Sequence, residues 1–332
     1  MRAPSIVAEV PAECVIGVDL GGTKAVAAAV DSKLGVRCRA RREVPTGELG
    51  ALLDMLTELV GEVRDAADAE VEAVGFGIPC LIDHDRGLAA SSVHLPIKDV
   101  AFADVMAERL GLAAFMDNDA NLALLAEHRG GAARGERNAV MLTLGTGIGG
   151  AILIGGEIYR GSQGTAGELG HIVISADGPD CGPGCPSHGC LESLASGTAL
   201  VREAQRVAQQ KPHSKLGMAL AAGLQISGPL VSELAYDGDR DALAVLTTIG
   251  EWLGIALAGI VNVFNPDVVV IGGGVIAAGE LILEPARRVM RERALALPTQ
   301  FVQVRAAHYG AEAGLLGAAL FARERLGQRV RA

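Results

Sequence analysis

Aromatic side chains are scarce in this sequence. Phe, Trp and Tyr together make up 3% of its 332 residues, and there is a single Trp. Proteins that bind single-stranded nucleic acid stack bases on aromatic rings and attract phosphates with positive charge, whereas this chain has a formal net charge of -10. Nucleic acid and anionic membrane surfaces are therefore not expected as partners.

The sequence also shows no long apolar run and no pattern typical of an export signal. The longest apolar stretch, from about Leu253 to Phe264, is interrupted by Asn262 and is shorter than the roughly 20 residues that cross a bilayer. The N-terminal stretch before Val15 has no apolar segment followed by a small-residue cleavage site. We therefore expect a cytoplasmic protein without a membrane span.

Cysteines are few, and half of the six form a cluster. The clustered residues are Cys181, Cys185 and Cys190. In a reducing compartment such a cluster indicates a metal site. Together with His171 it offers one nitrogen and three thiolates, the donor set of a closed structural zinc site. Two alternatives stay open, which are three free thiols and the use of His188 in place of His171.

The residues that are abundant suit a compact α/β protein. Half of the residues are hydrophobic, a fifth are charged and 44 are glycine. Short β-rich runs alternate with helical patterns, and three strands are predicted before a first helix at about residues 47–67. We expect an irregular segment from Ile78 to about Ile97 and a late helix from about Val275 to Arg293. The length of 332 residues allows about two domains.

Two apolar strands end in glycine-rich turns, DLGGTK at Asp19–Lys24 and LGTGIGG at Leu144–Gly150. Glycine lets backbone N–H groups converge on a phosphate because no Cβ blocks the approach. Both turns lead into a second strand, which excludes the P-loop and the dinucleotide fold, whose turns open a helix. An ordinary hairpin explains either turn alone, but the matched pair and a third turn at Gly272–Gly274 favour a nucleotide site.

The three turns contain the residues that we expect to bind a nucleotide. Backbone N–H groups and threonine hydroxyls would donate to the phosphates, the lysine would add charge, and the aspartate is placed to hold Mg²⁺ or its waters. The first turn contributes Asp19, Gly21, Gly22, Thr23 and Lys24. The second contributes Gly145, Thr146, Gly147, Gly149 and Gly150. The third would lie against the adenosine end through Gly273 and Gly274.

A strand-to-helix corner between the first two turns is crowded with the polar residues Asp117, Asn118, Asp119 and Asn121. A helix needs one such residue as its N-cap, so capping is the simplest use of any of them. The carboxylate of Asp119 can also accept the proton of an attacking sugar hydroxyl. Because phosphoryl transfer has a loose transition state, its main contribution would be to orient that hydroxyl.

A second polar group follows in the stretch GTAGELGHIVI. Glu168 and His171 lie in this stretch at i,i+3 spacing, and Glu192 comes further along. Two carboxylates and a histidine among glycines can hydrogen-bond several hydroxyls at once. Structural ion pairing is the alternative.

These motifs resemble those of the ROK family of sugar kinases and repressors, from Ile16 to about Leu320. They occur in the order of that family: DLGGTK, DNDAN, LTLGTGIGGAI, GTAGELGH, GCLE and NPDVVVIGGG. The resemblance implies the α/β, two-domain ATPase fold of actin and hexokinase, with a zinc-stabilised loop. The expected small domain comprises residues 1–118 and 311–332, and the expected large domain comprises residues 119–310.

The resemblance also implies a role for each site residue. The first two turns bind ATP with Mg²⁺, and Asp119 is the catalytic base. The sugar is contacted by Asn118, Asp119, Glu168, His171 and Glu192. A structural zinc ion is bound by His171, Cys181, Cys185 and Cys190. Homodimers or homotetramers are common in the family.

The sequence departs from the family pattern at three places. The cysteines follow C-x3-C-x4-C instead of C-x-C-x4-C, as if Gly182 and Pro183 had been added. Cys80 stands where a glycine is common, and His94 where an asparagine is common. The last two positions fall on the expected sugar side, so they bear on which sugar is preferred.

The expected function is ATP-dependent phosphorylation of a hexose, first of all glucose, at its 6-hydroxyl. A kinase for N-acetylmannosamine or N-acetylglucosamine is the main alternative, because DGPDC and SHGC are similar to the kinase half of the animal bifunctional sialic-acid enzyme. A non-catalytic, sugar-responsive regulator would carry a DNA-binding helical domain, and too few residues precede Val15 for one. A polyphosphate-dependent glucokinase has a different first turn.

Overall fold

The computed structural model describes residues 13–331, which divide into two compact units. The first unit holds the chain up to Leu122 and again from Gly314, and the second runs from Ala123 to Ala313. Each unit has its own apolar core. The segment before Glu13, where no export signal is expected, lies outside the described residues.

The chain up to Gly130 forms the strands and helices of the first unit and the link to the second. The strands are β1 (Glu13–Leu20), β2 (Lys24–Asp31), β3 (Val36–Glu43), β4 (Glu70–Ile78), β5 (Leu81–Asp83), β6 (Leu88–Ser91), β7 (Lys98–Val100) and β8 (Ala113–Asn118). The helices are α1 (Leu49–Ala66), α2 (Phe102–Leu110) and α3 (Asp119–Gly130). The boundary between the units falls inside α3.

The remaining elements form the second unit, except for the last helix. The strands are β9 (Ala139–Leu144), β10 (Ile148–Ile154), β11 (Glu157–Ile158), β12 (Val268–Gly272) and β13 (Gln303–Ala306). The helices are α4 (Leu191–Ala195), α5 (Gly197–Gln210), α6 (Lys215–Ala221), α7 (Gly228–Tyr236), α8 (Arg240–Phe264), α9 (Glu280–Arg293), α10 (Ala296–Thr299) and α11 (Ala313–Arg331). From Gly314 onward, α11 belongs to the first unit.

The central sheets of the two units share one topology. The order is β3-β2-β1-β4-β8 in the first unit and β11-β10-β9-β12-β13 in the second. In each sheet the first hairpin is antiparallel, β1 with β2 and β9 with β10, and the next partner, β4 or β12, is parallel. The two glycine-rich turns therefore connect equivalent strands. This equivalence explains their similarity in sequence.

Two expectations about local structure were wrong. The segment expected to be irregular before Ile97 contains β5 and β6, which form an antiparallel sheet with β7 just after it. Its strands have three or four residues, too few to show a hydrophobic period. The expected helix from Val275 begins later, because a 3-10 turn (Gly274–Ala278) precedes α9 and ends at Gly279, whose φ is +55°.

The helix α8 is longer than its apolar stretch suggested. Asp239 caps its first turn by accepting a hydrogen bond from the N–H of Ala242 at 2.9 Å, and Asn265 ends it in the left-handed conformation. By length and composition its 25 residues, with a mean hydropathy of 1.8 over 18 of them, suffice to cross a membrane. However, 61% of that stretch is buried inside the protein, as in a core helix.

Two glycines form a groove in the first sheet for α11. Gly17 of β1 and Gly75 of β4 are paired side by side. A Cβ on Gly17 would lie 2.1 Å from the carbonyl oxygen of Leu315, and one on Gly75 would lie 2.0 Å from that of Ala318. The helix thus packs on bare backbone, and neither site has room for a methyl group.

Gly75→Ala is therefore expected to destabilise the protein by about 1–3 kcal/mol or more, because α11 would have to move away from the sheet. Thermal unfolding measures this change. The control is Gly61→Ala in α1, where a Cβ would meet nothing within 4 Å and where alanine favours the helix by roughly 0.5–1 kcal/mol. Equal melting temperatures for the two variants would contradict the packing argument.

Candidate active site

The first glycine turn connects β1 to β2 and brings the predicted residues at positions 19–24 into one hairpin. The N–H of Gly21 donates to the carbonyl of Lys24 at 2.9 Å, which closes the turn. Gly22, Thr23 and Lys24 are exposed. Asp19, at the end of β1, is partly buried.

Two carboxylates lie close together in the first unit. Burial, and then the charge of Asp119, raise the pKa of Asp19 from 3.8 to about 6, with a smaller opposing effect from Lys24. Burial also raises the pKa of Asp119, and the N–H of Ala120 and the imidazole of His94 partly oppose this shift. Two neighbouring, desolvated carboxylates are costly to charge, and sites of this kind are concentrated where a protein binds or transforms a ligand.

The start of α11 also approaches Asp19. A Cβ on Gly314 would lie 2.9 Å from Oδ1 of Asp19, so glycine is needed there for the helix to come this close. The two residues are almost 300 positions apart, and no local pattern relates them. Gly314 was missed in the sequence for that reason.

Asp19→Asn is expected to raise the melting temperature at pH 7 and above. Asp19 ionises near pH 3.8 when unfolded and near 6 when folded, so the folded state binds more protons between these values. Stability therefore falls as pH rises from 4 to 6, and the full loss remains above 6. The gain from Asn should shrink toward pH 4 in thermal unfolding curves.

Asp31 provides a comparison of opposite sign. The backbone N–H groups of Gly35 and Lys33 lower the pKa of Asp31, so its contribution to stability is present at neutral pH and is lost in acid. Asp31→Ala should therefore lower the melting temperature at pH 7. A pH-independent effect of Asp19→Asn, or a loss of stability at pH 7, would contradict the assignment of the raised pKa.

The polar corner between β8 and α3 resolves into separate roles. Oδ1 of Asn118 accepts from the N–H groups of Ala120 at 2.9 Å and Asn121 at 3.3 Å, so Asn118 is the helix cap. Asp119 is the first residue of α3, and its Oδ1 accepts from the N–H of Ala120 at 3.0 Å.

Beneath the cap, Asp117 and Asn121 are buried. Oδ1 of Asp117 accepts from the N–H of Asn118 at 2.8 Å and from the amide of Asn121 at 3.2 Å. Nε2 of His84 lies 3.4 Å from the same oxygen. These groups support the corner from inside, and Asp119 is left as the outer carboxylate.

His94 is a further residue of this region. It is exposed in the segment between β6 and β7, and its Cβ lies 3.0 Å from the position of a Cβ on Gly22. Its charge acts on the carboxylate of Asp119. The imidazole therefore belongs to the neighbourhood of the first glycine turn, a placement that its sequence position alone did not establish.

The second glycine turn connects β9 to β10 and is braced by the start of α5. The N–H of Gly145 donates to the carbonyl of Gly147 at 2.9 Å. The carbonyl of Gly145 accepts from the N–H of Gly197 at 2.8 Å, and that of Thr146 accepts from the hydroxyl of Thr198 at 2.8 Å. The start of α5 thus holds the turn through hydrogen bonds to two of its carbonyl oxygens.

Glu192, predicted to bind sugar, lies directly against this turn. Its Oε2 accepts from the N–H of Ile148 at 2.7 Å, and a Cβ on Gly147 would lie 2.3 Å from the same oxygen. Glycine at position 147 therefore makes room for a carboxylate. Glu192 links the predicted sugar group and the second glycine turn.

Gly149 and Gly150 lie in β10 rather than in the turn. A Cβ on Gly150 would meet the carbonyl of Gly167 at 2.4 Å and the side chain of Leu169 at 2.7 Å. Gly150 thus allows the GTAGELGH stretch to pack closely on the strand. This close packing accounts for glycine at that position without a phosphate.

The third glycine turn lies at the end of β12. Gly272 is the last residue of the strand, and Gly273 has a φ of +87°. A Cβ on Gly273 would lie 2.3 Å from the carbonyl oxygen of Leu144, the residue that begins the second turn. Gly274, which opens the 3-10 turn, has open space around it. The second and third turns therefore meet at their bases.

One cluster of possible metal ligands brings together four predicted residues, with ligand atoms within 4.8 Å of one another: His171, Cys181, Cys185 and Cys190. Nδ1 of His171 lies 3.4 Å from Sγ of Cys181, while its Nε2 faces Oε2 of Glu168 at 4.0 Å. Nδ1 thus faces the sulfur of Cys181, and Nε2 faces the carboxylate of Glu168, a residue that is predicted to bind the sugar.

The lengthened cysteine loop accommodates this cluster. Gly182 and Gly184 adopt φ values of +107° and +88°, which glycine tolerates. His188 pairs with Asp180 in a β-bridge, and within the described residues the histidine of the cluster is His171. The inserted Gly-Pro is therefore compatible with four converging ligands.

Comparison with known proteins agrees with this geometry. Residues 15–325 match the model of the ROK family. The chain is 36% identical over 317 residues to a glucokinase of Thermotoga maritima, covering 94% of this chain and 98% of that protein. It is 35% identical over 313 residues to a glucokinase of Streptomyces coelicolor, covering 93% and 97%.

A solved structure is similar over the same length. It is a ROK family glucokinase from Streptomyces griseus in complex with glucose and AMPPNP, with a TM-score of 0.84 and 35% identity over 94% of this chain and 99% of that chain. The chain therefore belongs to the ROK family and has the actin and hexokinase type of fold.

Proposed function

We propose that this protein transfers a phosphoryl group from ATP to the 6-hydroxyl of a hexose, with glucose as the preferred acceptor. The observation that carries the proposal is the carboxylate of Asp119, partly buried beside Asp19 and with a raised pKa. The glucokinases to which the chain is similar support the choice of reaction and sugar.

In this proposal Asp119 orients the 6-hydroxyl and accepts its proton. A raised pKa suits this role, because a general base works best when its pKa approaches the working pH. Asp19 would hold Mg²⁺ or its waters, and the ion would neutralise charge on the phosphates. The proposed phosphate contacts come from the N–H groups and hydroxyls of the first two turns.

The residues that we propose bind the sugar are Asn118, Asp119, Glu168, His171 and Glu192. Asn118 uses its carbonyl oxygen as the helix cap, so its amide nitrogen is the group available to a hydroxyl. Glu192 is already shared with the N–H of Ile148. It would accept a sugar hydroxyl with its other oxygen.

A structural zinc ion fits the cysteine cluster. Sulfurs bound to one zinc at about 2.3 Å in a tetrahedron lie about 3.8 Å apart, and the sulfurs of Cys185 and Cys190 are 3.8 Å apart. The ion would tie the loop to His171 and keep the Nε2 side of that ring toward Glu168.

We also propose two domains. The small domain comprises residues 1–118 and 311–332, and the large domain comprises residues 119–310.

A coupled assay tests the function. Purified protein is given ATP and Mg²⁺ with glucose, mannose, N-acetylglucosamine or N-acetylmannosamine. Turnover with the highest kcat/KM for glucose is expected. A preference for an N-acetylated sugar would correct the substrate, and no turnover with any of them in zinc-loaded protein would favour a regulator.

A further inference from the structure

Tyr236, at the end of α7, is an aromatic residue that is mostly exposed to solvent. It is 62% exposed, in a chain with few aromatics. Its hydroxyl donates to the carbonyl of Ala278 at 3.0 Å. The position of a Cβ on Gly279 is 3.2 Å from the same hydroxyl oxygen. The phenol is thus fixed to the far end of the 3-10 turn, while most of the side chain stays open.

The near end of that 3-10 turn lies against the second glycine turn. Gly273 packs on the backbone of Leu144, and a methyl of Val275 lies 3.4 Å from the position of a Cβ on Gly197. The N–H of Gly197 in turn donates to the carbonyl of Gly145. One short element therefore joins the proposed phosphate site to Tyr236.

The dimensions suit a nucleotide. Five residues of 3-10 helix advance about 10 Å at 2.0 Å per residue, comparable with the span from the phosphates of a nucleotide to its base. The charges around Tyr236 also favour the base end. Within four positions of Tyr236 in the sequence there are three carboxylates, at 233, 237 and 239, and one arginine, at 240, a balance that disfavours a phosphate and leaves a neutral base acceptable.

We propose that the ring of Tyr236 is a stacking surface for the base of the nucleotide whose phosphates bind the second glycine turn. The inference rests on the proposed use of ATP and adds the group that holds the base. An aromatic ring with an anchored hydroxyl presents a flat face at little entropic cost. Stacking also tolerates different bases, so it predicts binding strength more than base selectivity.

The test measures binding by calorimetry with three probes, which are ADP, adenosine and tripolyphosphate. Tyr236→Ala is expected to weaken the binding of ADP and of adenosine by roughly 5- to 150-fold and to leave the binding of tripolyphosphate unchanged. Tyr236→Phe, which keeps the ring and loses the hydrogen bond to Ala278, should bind ADP much better than the alanine variant. Phe301→Ala, a second exposed aromatic of the same unit, is the control and should not differ from wild type.

The outcomes separate this inference from the proposed reaction. Unchanged ADP affinity in Tyr236→Ala, or an equal loss for ADP and tripolyphosphate, would overturn the stacking role even if sugar is phosphorylated. ADP binding that depends on the ring, in a protein without sugar turnover, would support stacking and overturn the kinase. A wild-type protein that binds no ADP would overturn both.

Discussion

Asp119→Asn is expected to lower kcat for sugar phosphorylation by roughly 10²- to 10⁴-fold while sugar and ADP still bind. The amide retains the size and the hydrogen-bonding oxygen of the carboxylate, but it cannot accept the hydroxyl proton. The fold should tolerate the change, because burial already disfavours the charged form of Asp119. The melting temperature is therefore expected to stay the same or to rise.

Asp104→Asn in α2 is the matched control, since it removes an exposed carboxylate of the same unit. It should keep wild-type kcat and KM. The coupled assay gives kcat, and calorimetry with glucose and ADP gives the two affinities. Near-normal turnover of Asp119→Asn would refute the base, and loss of sugar binding with the same kcat would reassign the residue to binding alone.

Cys190→Ser is expected to remove bound zinc and to lower the melting temperature by roughly 10 °C, as expected for the loss of a few kcal/mol of metal binding from a unit of this size. Cys190 is buried and forms the bridge to Val173 just before α4. Losing the ion should also free His171 and raise the KM for sugar. Metal analysis and thermal unfolding measure these effects.

Cys38→Ser is the control for this variant. Its thiol lies in β3, where it faces the carbonyl of Val63. It should keep about one zinc per chain and a wild-type melting temperature. Wild-type protein without zinc, or zinc-loaded Cys190→Ser, would contradict the metal site.

The paired hairpins are the part of the fold that the sequence predicted best. DLGGTK and LGTGIGG each follow a buried strand and precede another, so two strand-turn-strand units were readable from local pattern. The strand order around them was not readable, because sheet neighbours are set by contacts distant in sequence. The order common to β3-β2-β1-β4-β8 and β11-β10-β9-β12-β13 came from the structure.

The polar corner between β8 and α3 shows the limit of what a local sequence pattern can predict. Four polar residues in DNDAN predicted a ligand site, but their chemistry alone did not assign the cap. The structure gives Asn118 the cap and buries Asp117 with Asn121, which isolates Asp119. Hydrogen-bond partners depend on side-chain direction, and spacing alone does not specify it.

The first glycine turn illustrates the division between the two levels. Local chemistry in the sequence determined that Asp19 ends a strand beside a glycine turn, that Asp119 begins a helix, and that three cysteines and a histidine suit a metal. Tertiary structure decided that the two aspartates are neighbours and that Gly314 gives α11 room beside one of them. It also decided that Glu192 supports the second turn. The pKa of Asp19 follows from these long-range contacts, because desolvation and the field of a nearby charge arise only in the folded chain.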